Sequence, residues 1–154
     1  MYHEIVLPGK TKSSFLVNGI TEYLERLQHY AKVTVKTIKT GAMQGSDEVI
    51  KQKEAALLLA RLVPGTTLVA LDAKGVQYTS TEFSRLINRW ESMGVRHVSF
   101  VIGGPLGLDE GLLKRADHRI SLSKMTFTHD MVRLFLLEQL YRAYTIKAGE
   151  KYHK

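Results

Sequence analysis

Short apolar runs that read as strands alternate along this chain with longer segments whose apolar residues recur at helical spacing, and no other feature limits the fold as much. Strands joined through helices return in the same direction, so this order calls for a parallel sheet covered by helices, an α/β architecture. Ile5-Val6-Leu7 is the first strand. After Lys10-Thr11-Lys12-Ser13 comes a helix with Phe15, Leu16, Ile20, Tyr23, Leu24 and Leu27 on its apolar side. Val33 to Ile38 reads as an edge strand, because Lys32, Lys36 and Lys39 would discourage a further neighbour.

Beyond the glycine-bearing stretch 40–45, Ser46 is placed to cap a helix that starts with Asp47 and Glu48 and runs to about Leu62. Pro64-Gly65 punctuates it, and Thr66 to Leu71 follows as a strand whose unbroken apolar core predicts burial on both faces. Thr79 and Glu82 have capping-box spacing ahead of Phe83, Leu86, Ile87 and Trp90, and Gly94 ends that helix. Val98 to Ile102 is a second central strand, leading into Gly103-Gly104-Pro105-Leu106-Gly107. Asp109 caps a short helix through Ala116, and Arg119 to Leu122 forms the last strand. The final helix, about Asp130 to Lys147, is apolar almost all round. One sheet face cannot cover it, so its second face is expected against another subunit, a homodimer; enclosure within one chain is the other possibility.

The length of 154 residues suits one domain, 1–154, and an apolar fraction of 44% with 24% charged residues is that of a globular protein. No apolar run reaches bilayer length and Met1-Tyr2-His3-Glu4 lacks the basic-then-apolar order of a signal peptide, so no membrane association and a cytoplasmic location are expected. The absence of Cys excludes thiolate chemistry and disulfides. A net charge of +7 favours a polyanionic partner such as nucleic acid, although solubility alone would also be served by it.

Ligands of open parallel sheets bind beyond the carboxyl ends of the strands. Three loops qualify: the one after Leu71, the glycine loop 103–107, and Leu122-Ser123-Lys124-Met125-Thr126-Phe127. Glycines there would let a ligand approach the backbone, though a Gly-Gly-Pro sequence also suits a plain turn. The spacing is neither the dinucleotide fingerprint nor the P-loop, which disfavours nicotinamide cofactors and ATP. The six His lack metal-ligand spacing, so no metal is expected. His129 and Arg133 share a helix face where they could hold a base or phosphate, or serve as a cap and a solvated charge. Arg142 needs a partner or an opening to solvent on so apolar a helix. In the terminal Tyr152-His153-Lys154, the aromatic and imidazole groups suit stacking on a nucleobase and hydrogen bonding to it.

At the glycine loop, at Leu122 to Phe127, at Tyr141-Arg142-Ala143 and at Tyr152-His153-Lys154 the chain resembles the ribosomal RNA large-subunit methyltransferase H family. The likeness extends over essentially the whole chain, including Gly9-Lys10, Glu22-Tyr23 and Leu71-Asp72. It implies a SPOUT fold with a C-terminal trefoil knot, a homodimer, and methyl transfer from S-adenosylmethionine to N3 of a pseudouridine in large-subunit (23S) ribosomal RNA, within an assembled ribosome. Under this resemblance Leu71, Gly103, Gly104 and Leu122, Ser123, Lys124, Met125, Thr126 and Phe127 would contact the cofactor. Arg142 and His129 would anchor the base while Tyr152 and His153 of the partner's tail close over it and assist deprotonation. Arg133 would be a lesser base or phosphate contact, and Lys32, Lys36, Lys39, Arg115 and Arg119 are candidates for the RNA footprint. The chain departs from many relatives at Thr128, where they carry Pro, and a less rigid loop is expected there. Two alternatives remain open: a SPOUT methyltransferase acting on tRNA or another RNA, and a non-catalytic RNA-binding assembly factor.

Overall fold

The computed structural model describes residues 1–153; Lys154, part of the terminal motif, lies outside the described residues. Strands and helices alternate strictly. They run β1 (Tyr2–Pro8), α1 (Ser14–Leu27), β2 (Lys32–Ile38), α2 (Asp47–Leu59), β3 (Thr67–Gln77), α3 (Ser80–Ser92), β4 (His97–Ile102), α4 (Glu110–Arg115), β5 (His118–Ser121) and α5 (His129–Lys147). All neighbouring strands are parallel, in the order β2-β1-β4-β3-β5. The lysine-bearing β2 is an edge, as its sequence predicts, and β5 is the other.

Successive strand residues point to opposite faces, so each apolar run feeds two cores. Ile5, Leu7, Val69, Phe100 and Ile120 meet α1, α3 and α5 on one side. Val6, Leu68, Ala70 and Val101 meet α2 and α4 on the other. The helix starts follow local chemistry. Thr79 accepts from the Glu82 N–H at 3.2 Å while Glu82 accepts from the Thr79 N–H at 2.7 Å, a reciprocal capping box. No helix among the described residues is long and apolar enough to cross a membrane.

Several boundaries differ from the sequence reading. α2 stops at Leu59 rather than Leu62, and β5 starts one residue early. β3 continues past Leu71 to Gln77, but out of register: Ile120 pairs first with Leu71 and again with Val76, so residues 72–75 bulge out of the ladder. Asp72-Ala73-Lys74-Gly75 carries no apolar alternation, which is why sequence pattern ends the strand too soon.

The largest correction concerns α5. It lies between α1 and α3, with Leu136, Leu137 and Leu140 fully buried, and of its 19 residues only Lys147 is exposed. Much of its apolar surface is therefore covered within one chain, while Met131, Val132, Leu134, Phe135 and Tyr141 stay half-buried. The physical reason is the route of the chain, which leaves the sheet at the edge strand β5 yet returns to the middle of the helix layer.

Two buried polar groups tie this frame together. His3 Nε2 lies 2.6 Å from the Tyr144 hydroxyl, joining β1 to the C-terminal half of α5. Burial pushes the His3 imidazole down to about 3, so the ring stays neutral. On the other face, Glu4 accepts from Lys36, from Ser99 and from the Val63 N–H. Burial alone would raise its pKa, but these three donors together hold the carboxyl below the usual range.

Candidate functional site

Parallel strands end together, so the loops after β3, β4 and β5 converge on one sheet edge. There they enclose a cavity of about 620 Å³, within the range that small-molecule ligands occupy. Leu71 and Ile120 form its floor, Gly103, Gly104 and Gly107 one wall, and the segment 122–128 another, with His129 and Val132 of α5 closing it. A second cavity of about 390 Å³ lies across the 122–127 segment, between α3 and α5, and shares Leu71, Ile120, Leu122 and Phe127 with the first.

Both leading glycines are buried, and each is crowded by the chain itself. A Cβ on Gly103 would stand 2.8 Å from the Gly107 carbonyl carbon and 3.0 Å from the Leu108 nitrogen, so the loop closes on itself only with glycine there. A Cβ on Gly104 would meet the Glu54 carboxylate at 2.9 Å, and that carboxylate accepts the Gly104 N–H. Gly107 adopts φ 81°, open to glycine at no cost. The glycines thus shape the wall first, and room for a ligand follows from that shape.

Thr128 is the N-cap of α5, accepting from the Met131 N–H, a contact that the ring of a proline could not make. His129 is the first residue of the helix, not the one before it, and lines the cavity. Arg133, one turn on, is neither solvated nor open to a phosphate: it is 2% exposed and donates to the Pro8 carbonyl at 2.9 Å and to Thr11 at 2.7 Å. Its guanidinium fixes the end of β1 against α5, with Asp130 at 3.3 Å as counter-charge.

A different assembly occupies the other end of α5. Arg142 donates through Nε and Nη2 to Glu138, its Nη1 lies 3.3 Å from His153 Nδ1, and its guanidinium covers the Tyr152 ring at 4.7 Å. Tyr152 in turn donates to Glu138 at 3.1 Å, shares a hydrogen bond with Tyr23 and meets Tyr141 edge-on. The tail is brought back by a Schellman turn. Gly149 at φ 71° lets its own N–H reach Ile146 and the Glu150 N–H reach Thr145, and Tyr30 then donates to Glu150 at 2.7 Å. Hydrogen bonding to Glu138 raises the Arg142 pKa. Burial, then the contacts with Tyr23 and Glu138, raises the Tyr152 phenol, so it acts as a neutral donor rather than as a base.

Comparison with known proteins matches this geometry to a family. Residues 1–153 fit the family described as Predicted SPOUT methyltransferase. The chain belongs to the SPOUT methyltransferase family. The ribosomal RNA large subunit methyltransferase H of Desulfotalea psychrophila is 54% identical to it over 100% of both chains, and that of Pelotomaculum thermopropionicum 45% identical over 99% of each. Among solved structures, a probable methylase family protein from Haemophilus influenzae Rd KW20 is similar with a TM-score of 0.55 and 13% identity, covering 99% of this chain and 70% of that one. At that identity the likeness concerns the fold.

In this SPOUT methyltransferase the residues nominated from sequence fall into two groups. Leu71, Gly103, Gly104, Leu122, Ser123, Met125, Thr126, Phe127 and His129 line the larger cavity, whereas Lys124 is exposed and does not. Arg142, Tyr152 and His153 gather at the far end of α5, thirteen residues beyond His129, about 20 Å at a helical rise of about 1.5 Å per residue. Within one chain Arg142 and His129 therefore cannot grip one base. Sequence reasoning missed Glu138, which organises the far cluster; its i, i+4 spacing to Arg142 is the signal that could have found it. The proposed RNA footprint is also sorted. Lys36 is bound to Glu4 and Arg119 to Asp72, while Lys32 and Arg115 lie at the opposite sheet edge from the cavity. Lys39, exposed just past β2, shares the cavity's edge.

Proposed function

We propose that this protein transfers a methyl group from S-adenosylmethionine to N3 of a pseudouridine in large-subunit ribosomal RNA, in the cytoplasm, as a homodimer acting on the assembled particle. The shared name of relatives matched from end to end supports large-subunit ribosomal RNA as the substrate. The cavity at the ends of β3, β4 and β5 is the observation that carries the reading. Its volume suits a nucleoside-sized ligand, and its Leu71, Leu122 and Phe127 offer apolar surface for adenine. The two bracketing loops bring main-chain groups to the same edge.

S-Adenosylmethionine supplies a methyl carbon already activated by its sulfonium, so the protein has mainly to position the acceptor nitrogen and help remove its proton. His129 stands at the cavity and is the near group for that task. Arg142, with its bound Tyr152 and His153, is the group that would anchor the base, and the distance of about 20 Å along α5 keeps it from the same chain's cavity. A second copy with its α5 reversed would deliver this cluster over the first copy's cavity, which is the main argument for a dimer. The neutral Tyr152 donates a hydrogen bond in this arrangement. The same reading includes a C-terminal trefoil knot, which would account for how a chain leaving edge strand β5 reaches a place between α1 and α3.

The test is methylation by purified protein of ribosomes, free ribosomal RNA and tRNA, followed by mass spectrometry of the nucleosides. Methylpseudouridine from ribosomes is the expected product. Labelling of tRNA alone would move the acceptor, and a protein that does not bind the donor would be an assembly factor.

A further inference from the structure

Building on that reading, we infer that Asp72 is the residue by which the cavity distinguishes the charged methyl donor from its uncharged product, and that Arg119 holds it in place. Asp72 follows Leu71 where β3 leaves its register with β5, and the bulge 72–75 sets it in the cavity wall. Among the described residues it is the one carboxylate lining this cavity, whose other walls are largely apolar or glycine. Arg119 Nη2 donates to its Oδ2 at 2.6 Å, while Oδ1 makes no hydrogen bond with the protein among the described residues.

The bulge is pinned to β5 twice. Besides the ion pair, Gly75 lies so near that a Cβ there would stand 2.7 Å from the Arg119 carbonyl oxygen. Both charged side chains are partly exposed, at 38% for Arg119 and 22% for Asp72, so the pair adds little to stability and chiefly orients the carboxylate. A fixed anion beside apolar walls acts on a ligand charge more strongly than it would in water.

The donor carries a sulfonium; once the methyl has left, the sulfur is a neutral thioether and the rest of the molecule is unchanged. An anion in the wall therefore attracts the donor and loses that attraction when transfer is complete, which favours exchange of product for fresh donor.

Titration calorimetry with three ligands tests this: S-adenosylmethionine, S-adenosylhomocysteine, and sinefungin, whose amine keeps a positive charge in place of the sulfonium. Asp72→Asn is expected to weaken the two cationic ligands at least about tenfold and the neutral product less than about threefold. Arg119→Gln, which leaves the carboxylate but frees it, is expected to give a smaller loss with the same ligand order. Equal losses for all three ligands would assign Asp72 to the ribose or amino-acid part and overturn the inference, as would unchanged affinities. A thermal midpoint near that of the unsubstituted protein shows that the variants fold. Failure of the unsubstituted protein to bind any of the three would count against the proposed function instead.

Discussion

The two ends of α5 are built differently. At its N-terminal end the helix closes a cavity whose other walls are main chain, glycine and apolar side chains from three strand ends. From its midpoint at Glu138 to Arg142 the helix holds polar side chains bonded to Tyr152 and His153 of the tail and, through Tyr152, to Tyr23 of α1. The first is a consequence of topology and would survive many substitutions of side chain. The second depends on a few side chains and on the turn at Gly149. The cavity and the Arg142 cluster thus stand about 20 Å apart on one helix, and the proposed function calls for a second copy to bring them together.

Substitutions at each end should separate the two functions. Arg142→Ala is expected to lower turnover by about two to three orders of magnitude while donor affinity stays within about twofold, read by single-turnover kinetics beside calorimetry. Removing residues 152–154 should act the same way; turnover that survives would make the tail a structural appendage. Gly103→Val should do the reverse, cutting donor affinity by about a hundredfold, because its side chain would push against the main chain at Gly107 and Leu108. Retained affinity would show that the wall of the cavity lies elsewhere.

Acid should loosen the far end of α5 before the near one. The folded-state pKa of His3, about 3, lies below its ordinary 6.5, so its stabilising effect is complete above pH 6.5 and is lost as pH falls towards 3. The expected slope is about 1.4 kcal/mol per pH unit across that window. Glu4, also lowered, adds a further loss below the ordinary carboxylate range. Urea unfolding across pH measures the slope, which should flatten in His3→Gln. Amide exchange should rise first around Tyr144, the partner of His3. The smallest effect belongs to the near end: Thr128→Ala, which removes the cap of α5, should cost about 1 kcal/mol and about 2–4 °C in thermal midpoint.

The sequence made the fold legible where one rule governed a segment. Unbroken apolar runs marked β1, β3 and β4, Thr79 and Glu82 marked the start of α3, and the lysines of β2 marked an edge. It misled where placement depended on the route of the chain. The apolar surround of α5 pointed to another subunit, but α1 and α3 supply most of it, since periodicity reports that a helix is buried and not by what. The bulge at 72–75 was invisible for a similar reason, its polar residues being set by close approach to β5 and not by pattern. Of the candidate site, the cavity residues could be nominated because parallel strands end together. The gap between His129 and Arg142 could have been counted from sequence, but the role of Glu138 and the return of the tail onto α5 needed the structure. Arg133 shows the same limit: a charge near a helix start looks like a phosphate ligand until its partners, Pro8 and Thr11, are seen.

Mixing two inactive variants tests most directly whether the two ends of α5 serve one site across two copies. Protein carrying Gly103→Val lacks a cavity but keeps its Arg142 cluster; protein carrying Arg142→Ala keeps its cavity and lacks the cluster. When equal amounts are mixed and allowed to exchange subunits, half of the dimers pair one of each, and each such pair holds one intact composite site. The mixture should regain about a quarter of the unsubstituted turnover. A mixture as inactive as its two components would contradict a site shared between chains.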